Sequence, residues 1–282
     1  MQNLLIICPT ARLVRAIQAD IAQANLANCL THWQTTHVHT LSQWLDSITE
    51  QRILNGEITQ PQTLLSPFSE QLLWEEVITQ SLKKNMFGAL FDVSGLASAA
   101  IEANKYMIAW RLHVPRDQMS EESRQFVQWQ RDFQQRCKQL NVLESVRYLD
   151  WQLDSLLNSS LKLPAQIAFA GFDQTAPQEQ RLREILMQKN VLVTNFTTTN
   201  ASPAQTKHIA LDNIEAECRA AVAWAKQQLA ENPNTKLAIV APQLSDIRNQ
   251  LADLLDDTFY PASVNPSQFD IPRNYNFSLG TP

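Results

Sequence analysis

Short, almost wholly apolar runs punctuate the chain at Leu4–Ile7 (LLII), Gln166–Ala170 (QIAFA) and Leu237–Val240 (LAIV). Less uniform β-type runs lie at His37–His39, Val191–Phe196 and His208–Leu211. Strands covered on both faces have this apolar composition, whereas strands with one wet face alternate. Amphipathic helical stretches follow Pro9, Leu41, Pro177, Asn213 and Pro242. The alternation of strand and helix predicts an α/β fold, doubly wound around a parallel sheet.

From about Gln60 to Ser160 that alternation stops and only helical patterns remain. In PFSEQLLWEEVITQSL, Phe68, Leu72, Val77 and Leu82 recur near helical spacing, with Ser66 and Pro67 as a cap-like start. In ESRQFVQWQRDFQQRCKQL, Phe126, Trp129, Phe133, Cys137 and Leu140 fall on one helical face. Such an aromatic stripe could stack on bases, but a helix-spaced stripe more commonly faces a core, and core is the expectation here. The interval is expected to be an all-α subdomain inserted into the sheet.

The sequence also echoes itself. LLIICPTARLVRAIQADIA, from Leu4, aligns without a gap on LAIVAPQLSDIRNQLADLL, from Leu237, matching Pro9 with Pro242, Arg15 with Arg248 and Asp20 with Asp253. Each copy reads as an apolar strand, a proline at the helix start and an amphipathic helix. The echo fits two α/β lobes that open in the same way.

Size and charge narrow the function. The 282 residues are 44% hydrophobic, enough for two or three domains. A net charge of -5 excludes a bulk-basic nucleic-acid binder, so any DNA contact must come from a local patch. Cys8, Cys29, Cys137 and Cys218 have no ligand-like spacing and read as buried, reduced thiols. Neither a signal peptide nor a run long enough for a membrane helix is found, so a cytoplasmic protein without membrane contact is expected.

Phosphate chemistry is missing where such a fold would carry it. A phosphate-binding loop needs paired glycines, a lysine and a hydroxyl, but the five glycines are all isolated and no G-x-x-x-x-G-K occurs. Pro9 is expected to remove an N–H at the helix start, where an anion would need one.

Three segments carry a family resemblance. Ala170-Gly171-Phe172-Asp173-Gln174-Thr175 resembles the D-E-F-Q-D-T motif of superfamily 1 helicases of the UvrD/RecB type, with alanine and glycine in place of the two carboxylates. Thr36-His37-Val38-His39-Thr40-Leu41 resembles their G-T-F-H-S-L, keeping the H-[ST]-L core, and CPTARLVRAI resembles the motif that follows their phosphate loop. The layout as a whole resembles AddB- or RecB-like probable DNA repair proteins, where a degenerate helicase region precedes a PD-(D/E)XK nuclease. AGFDQTAPQEQRLREIL, EAECRAAVAWAKQQLAENPNTKLAIVAP and RNYNFSLGTP are similar to that family's strings.

The resemblance implies a RecA-like parallel-sheet lobe in two parts (1–58 and 163–204), a helical insertion (59–162) and the incomplete start of a second RecA-like lobe (205–282). It implies degenerate ATPase positions at Ala170 and Gly171, no catalytic residue and no metal site. DNA-facing candidates are Thr10, Arg12, His39 and Thr40. No cofactor is expected in this chain, and Mg²⁺ only in a nuclease domain that these residues lack; the chain is read as a fragment. Asp253, Asp256 and Asp257 read as a solvated helix face, and Glu217 as support for a helix N-terminus. The leading expectation is a catalytically silent helicase-like module that binds DNA or braces a helicase or nuclease partner. The alternative is a structural or protein-interaction α/β module without DNA contact, and an active ATPase or nuclease has the least support.

Overall fold

The computed structural model describes residues 4–33, 36–84, 91–115, 117, 119–197, 206–264 and 272–278. The chain begins with β1 (Leu4–Cys8), α1 (Ala11–Ala27), β2 (His37–Thr40) and α2 (Leu41–Leu54). A helical stretch follows, with β3 (Thr63–Leu64), α3 (Pro67–Lys84), α4 (Val93–Ala109), α5 (Glu121–Leu140), β4 (Val142–Leu143) and α6 (Ser145–Leu157). β5 (Gln166–Phe169), α7 (Pro177–Gln188) and β6 (Leu192–Asn195) close the first of two compact units, 1–200 and 201–282.

Four strands form one parallel sheet in the order β2-β1-β5-β6. Leu5 lies opposite His37, Leu4 opposite Gln166, and Gln166 opposite Leu192. The two-residue period of a strand sends Leu5, Ile7, Ile167 and Phe169 to one face, where α2, α6 and α7 cover them with Trp44, Leu45, Leu153, Leu156, Leu182 and Leu186. Ile6, Cys8, Val38, Ala168 and Ala170 face the other way, against Val14 and Ile17 of α1. Covering helices on both faces explain why LLII and IAFA show no polar alternation. The β1–α1–β2 and β5–α7–β6 crossovers step in opposite directions along the sheet. Right-handed connections must then place their helices on opposite faces, as they do.

The helical insertion has its own core. Trp74 and Ile78 of α3, Ala97 and Ala100 of α4, and Trp129, Phe133 and Cys137 of α5 are all buried in it. The Trp74 and Phe133 rings stack with centroids 4.3 Å apart. The α5 stripe is therefore core, as its spacing suggests. On α3 the buried face is turned from the expected one: Phe68 and Leu72 are exposed, and Leu73, Trp74, Val77, Ile78 and Leu82 point inward. Burying the large indole of Trp74 dictates that rotation. β3 and β4, not expected from the sequence, pair in parallel at the base of the insertion, Thr63 opposite Val142. α6 packs into the sheet layer rather than the insertion core. Arg52 of α2 donates to the Ser155 carbonyl and hydroxyl, and Gln152 Nε2 donates to Asp46 Oδ1 at 2.8 Å.

The second unit holds α8 (Ile214–Glu231), α9 (Leu244–Phe259) and a 3₁₀ turn at Pro261–Val264. Asn213 caps α8 by accepting from the Ala216 N–H at 2.9 Å. Cys218, Val222, Leu251 and Leu255 form the core between the two helices, with Ile239, Tyr275 and Phe277 against it. The strands expected at His208–Leu211 and Leu237–Val240 are not formed: among the described residues neither run has a ladder partner. Without a neighbour to accept its N–H groups, an apolar run cannot become a strand. Its side chains still alternate, with Leu237 and Ile239 half-buried, Ala238 exposed and Val240 89% exposed.

Asp256 departs from the solvated face expected for the aspartate cluster, while Asp253 and Asp257 are exposed. It accepts from Arg273 Nε and Nη2, each at 2.9 Å, and from the Tyr275 hydroxyl at 2.7 Å. The Arg273 hydrogen bond holds its carboxyl below the usual range, and burial, with the bond to Asp256 second, pushes the Tyr275 hydroxyl up to about 12. Of the cysteines, Cys8, Cys137 and Cys218 are buried as expected; Cys29 is exposed, and none is in a disulfide.

Candidate functional site

In a doubly wound sheet, ligands bind outside the carboxyl ends of the strands, where neighbouring connections leave for opposite faces. Here that point lies between β1, which leads to α1, and β5, which leads towards α7. The sequence-derived candidates gather along this edge. Cys8 at the end of β1 lies opposite Thr40, Thr10 follows two residues later, and Ala170 extends β5 by donating its N–H to the Ile7 carbonyl at 2.9 Å.

Gly171 has φ +75°, a conformation that glycine adopts without steric cost. A Cβ there would stand 2.5 Å from Leu13 Cδ2 and 3.7 Å from the Pro9 ring. Half-buried Leu13 and exposed Pro9 thus lie beside Gly171, itself exposed at the end of β5. Ala170 is buried, and Asp173, the acid the segment retains, is exposed. Phe172 turns inward and meets Phe169 edge-to-face at 5.4 Å, so the matched phenylalanine serves the core.

Thr10 is the N-cap of α1: its hydroxyl accepts from the Leu13 N–H at 3.3 Å. The expectation that Pro9 removes a first-turn N–H needs correction. Helix α1 starts at Ala11, so Pro9 precedes the cap and takes no amide from the helix terminus. Arg12 is exposed in the first turn. Thr40 is buried and caps α2 through a reciprocal capping box: its hydroxyl accepts from the Gln43 N–H at 3.2 Å, and its own N–H donates to Gln43 Oε1 at 3.1 Å. Its hydroxyl also pairs with Ser42 Oγ at 3.2 Å. His39 is exposed on the edge strand and stacks on His37, with centroids 6.3 Å apart.

The structure therefore brings the four candidates to one edge and divides them by task. Thr10 and Thr40 hold helix starts, whereas Arg12 and His39 present charge and a ring nitrogen to solvent. On the β6 side of the same carboxyl edge, Arg183 of α7 lies 4.0 Å over the Phe169 ring and donates to Asn195 Oδ1 at 3.2 Å. Burial lowers its guanidinium from the usual value. The sequence did not single out Arg183, and its i+4 spacing from Glu179 is the only local signal it gives.

A second group of polar residues escaped the sequence altogether. Glu144 and Asn104, both buried, and Gln130 and Arg147, both half-buried, form a hydrogen-bonded set between α4, α5 and α6. Only the i, i+3 spacing of Glu144 and Arg147 is visible locally. Among the described residues, no group of three or more His, Cys, Asp or Glu side chains could hold a metal ion, and no helix is long and apolar enough to cross a membrane. No protein-family model matches the chain, and no curated protein matches it as a relative.

Proposed function

We propose that these residues form a catalytically silent, helicase-like module of a bacterial DNA-repair protein of the helicase/exonuclease type, gripping DNA or bracing a partner subunit or nuclease domain. In this reading the parallel sheet with its helical insertion is a RecA-like lobe, and the second unit begins another. The observation that supports it most is the close approach of Leu13 to Gly171, because a sheet of this topology offers its ligand site there and a side chain at Gly171 would meet Leu13. What the edge still presents is suited to a phosphate backbone rather than to a triphosphate: a helix N-terminus, the Arg12 guanidinium and the His39 ring. No cofactor is assigned to these residues, and Mg²⁺ belongs to the nuclease region that the resemblance implies.

The net charge of -5 favours a second reading, a protein-interaction module with no DNA contact. Single-stranded oligonucleotide binding separates the two. Under the first, affinity falls steeply between about 50 and 200 mM salt, and Arg12→Ala lowers the log–log salt slope by about 1. His39→Ala weakens binding by removing the exposed ring from the same edge. Binding that is absent, or indifferent to salt and to both substitutions, leaves only the protein-interaction reading.

A further inference from the structure

Arg52, Arg147, Arg181 and Arg273 are withdrawn from solvent, and each holds a carboxylate. Arg183 of α7 is half-buried as well, yet among the described residues it forms no ion pair. Its guanidinium lies 4.0 Å over the Phe169 ring, and its Nη1 donates to Asn195 Oδ1 at 3.2 Å. Its Nε is enclosed with no hydrogen-bond partner among the described residues. Glu179, the acid one turn back, serves the helix start instead, accepting from the Ala176 N–H at 3.1 Å. A charge drawn out of water without a counter-charge is costly, and in a ligand-binding place such a group marks a functional site.

The place is a ligand-binding one. Phe169 and Asn195 lie opposite one another at the ends of β5 and β6, and β5 borders the point where a sheet of this topology takes its ligand. The head is also held in advance. Phe172 braces the Phe169 ring edge-to-face at 5.4 Å, that ring lies beneath the guanidinium, and Asn195 holds one of its N–H groups. Asn195 is itself exposed, which brings that end of the guanidinium to the surface. A guanidinium fixed on a ring keeps a planar fork that matches phosphate, and little of its freedom is left to lose on binding.

We propose that Arg183, set by Phe169 and Asn195, receives a phosphoryl oxyanion at the β5–β6 end of the carboxyl edge. With DNA as the source, which rests on the function proposed above, Arg183 is a further backbone contact beside Arg12 and His39. In the order β2-β1-β5-β6, His39 and Asn195 are three strand spacings apart, roughly 14 Å, so the two ends of the edge take different phosphates. Free phosphate is the other source of the same chemistry.

Single-stranded oligothymidylate binding tests the contact in the full chain. Arg183→Ala should weaken binding about tenfold and lower the log–log salt slope by about 1. Arg183→Lys, which keeps the charge and loses the fork, should restore the slope and only part of the affinity. An arginine that merely packs on Phe169 would move the urea midpoint and leave the salt slope alone. Binding weakened by Arg12→Ala but not by Arg183→Ala would overturn this inference and leave the grip on DNA standing. If Arg183→Ala does not fold, Arg183→Lys decides: lowered affinity supports the fork and unchanged affinity overturns it. If the unsubstituted chain binds no oligonucleotide, the grip on DNA fails instead, and inorganic phosphate decides. A saturable shift of the Arg183 Nε–H NMR signal, not produced by chloride at matched ionic strength, would uphold the oxyanion site, and no shift would overturn it.

Discussion

Gly171 shows how one backbone conformation limits what a position can carry. Its positive φ strains any side chain there, and a built Cβ 2.5 Å from Leu13 Cδ2 would push that flexible side-chain end aside. Gly171→Ala is expected to cost about 1–3 kcal/mol, read from the urea midpoint. Leu13→Ala combined with it should recover the cost of displacing that end and not the strain, which a double-mutant cycle measures. Gly171→Glu should destabilise at least as much, because the strained backbone conformation is the same. The two threonines differ in the same way. Both cap helices, but Thr40 is buried within a reciprocal box and Thr10 is exposed. Thr40→Ala should cost about 1–2 kcal/mol and Thr10→Ala about 0.5–1 kcal/mol, compared by chemical denaturation.

At the scale of elements, the two copies of the internal echo share a helix and part at the strand. α1 and α9 both form behind a proline, since amphipathic spacing is a local property. LLII pairs on both edges and becomes β1; LAIV finds no partner among the described residues and stays irregular. Composition can specify that a run is fit for a sheet, but the neighbour comes from elsewhere in the chain. The same limit hid the β3–β4 pair, made of two residues each, and the enclosure of Glu144, which depends on three helices meeting. The edge carrying Thr10, Arg12, His39 and Thr40 was legible because each residue sits at a junction of elements. Which of the four faces solvent was not, because capping geometry decides it. In the second unit, Asp256 ties the Arg273–Phe277 segment to α9. Its carboxyl is held below 3.8, so that tie contributes above the unfolded value and is lost as pH falls through the folded one. Asp256→Asn should therefore free the amides of 273–277 to exchange at neutral pH, and acidification should do the same to the unsubstituted chain.

For the first unit as a whole, the arrangement is a four-stranded parallel sheet carrying a separately cored helical insertion. Phe133→Ala, at the centre of that second core, should cost about 3–5 kcal/mol and lower the far-UV helical signal before the sheet is lost. The sheet itself is completed late. β1 and β2 lie near one another in sequence, yet Leu4 meets Gln166 only after the whole insertion has been made. Bringing such distant segments together carries a chain-closure entropy that slows folding. The small β3–β4 ladder sits where it can shorten that search. The Leu65 N–H donates to the Leu143 carbonyl at 2.9 Å and Gln62 Nε2 to Asn141 Oδ1 at 2.9 Å, so the insertion's two ends are fastened together. Once fastened, the ribosome-emerging chain need only close the short remainder to bring β5 beside β1, and the insertion acts as a hairpin-like detour rather than a long tether.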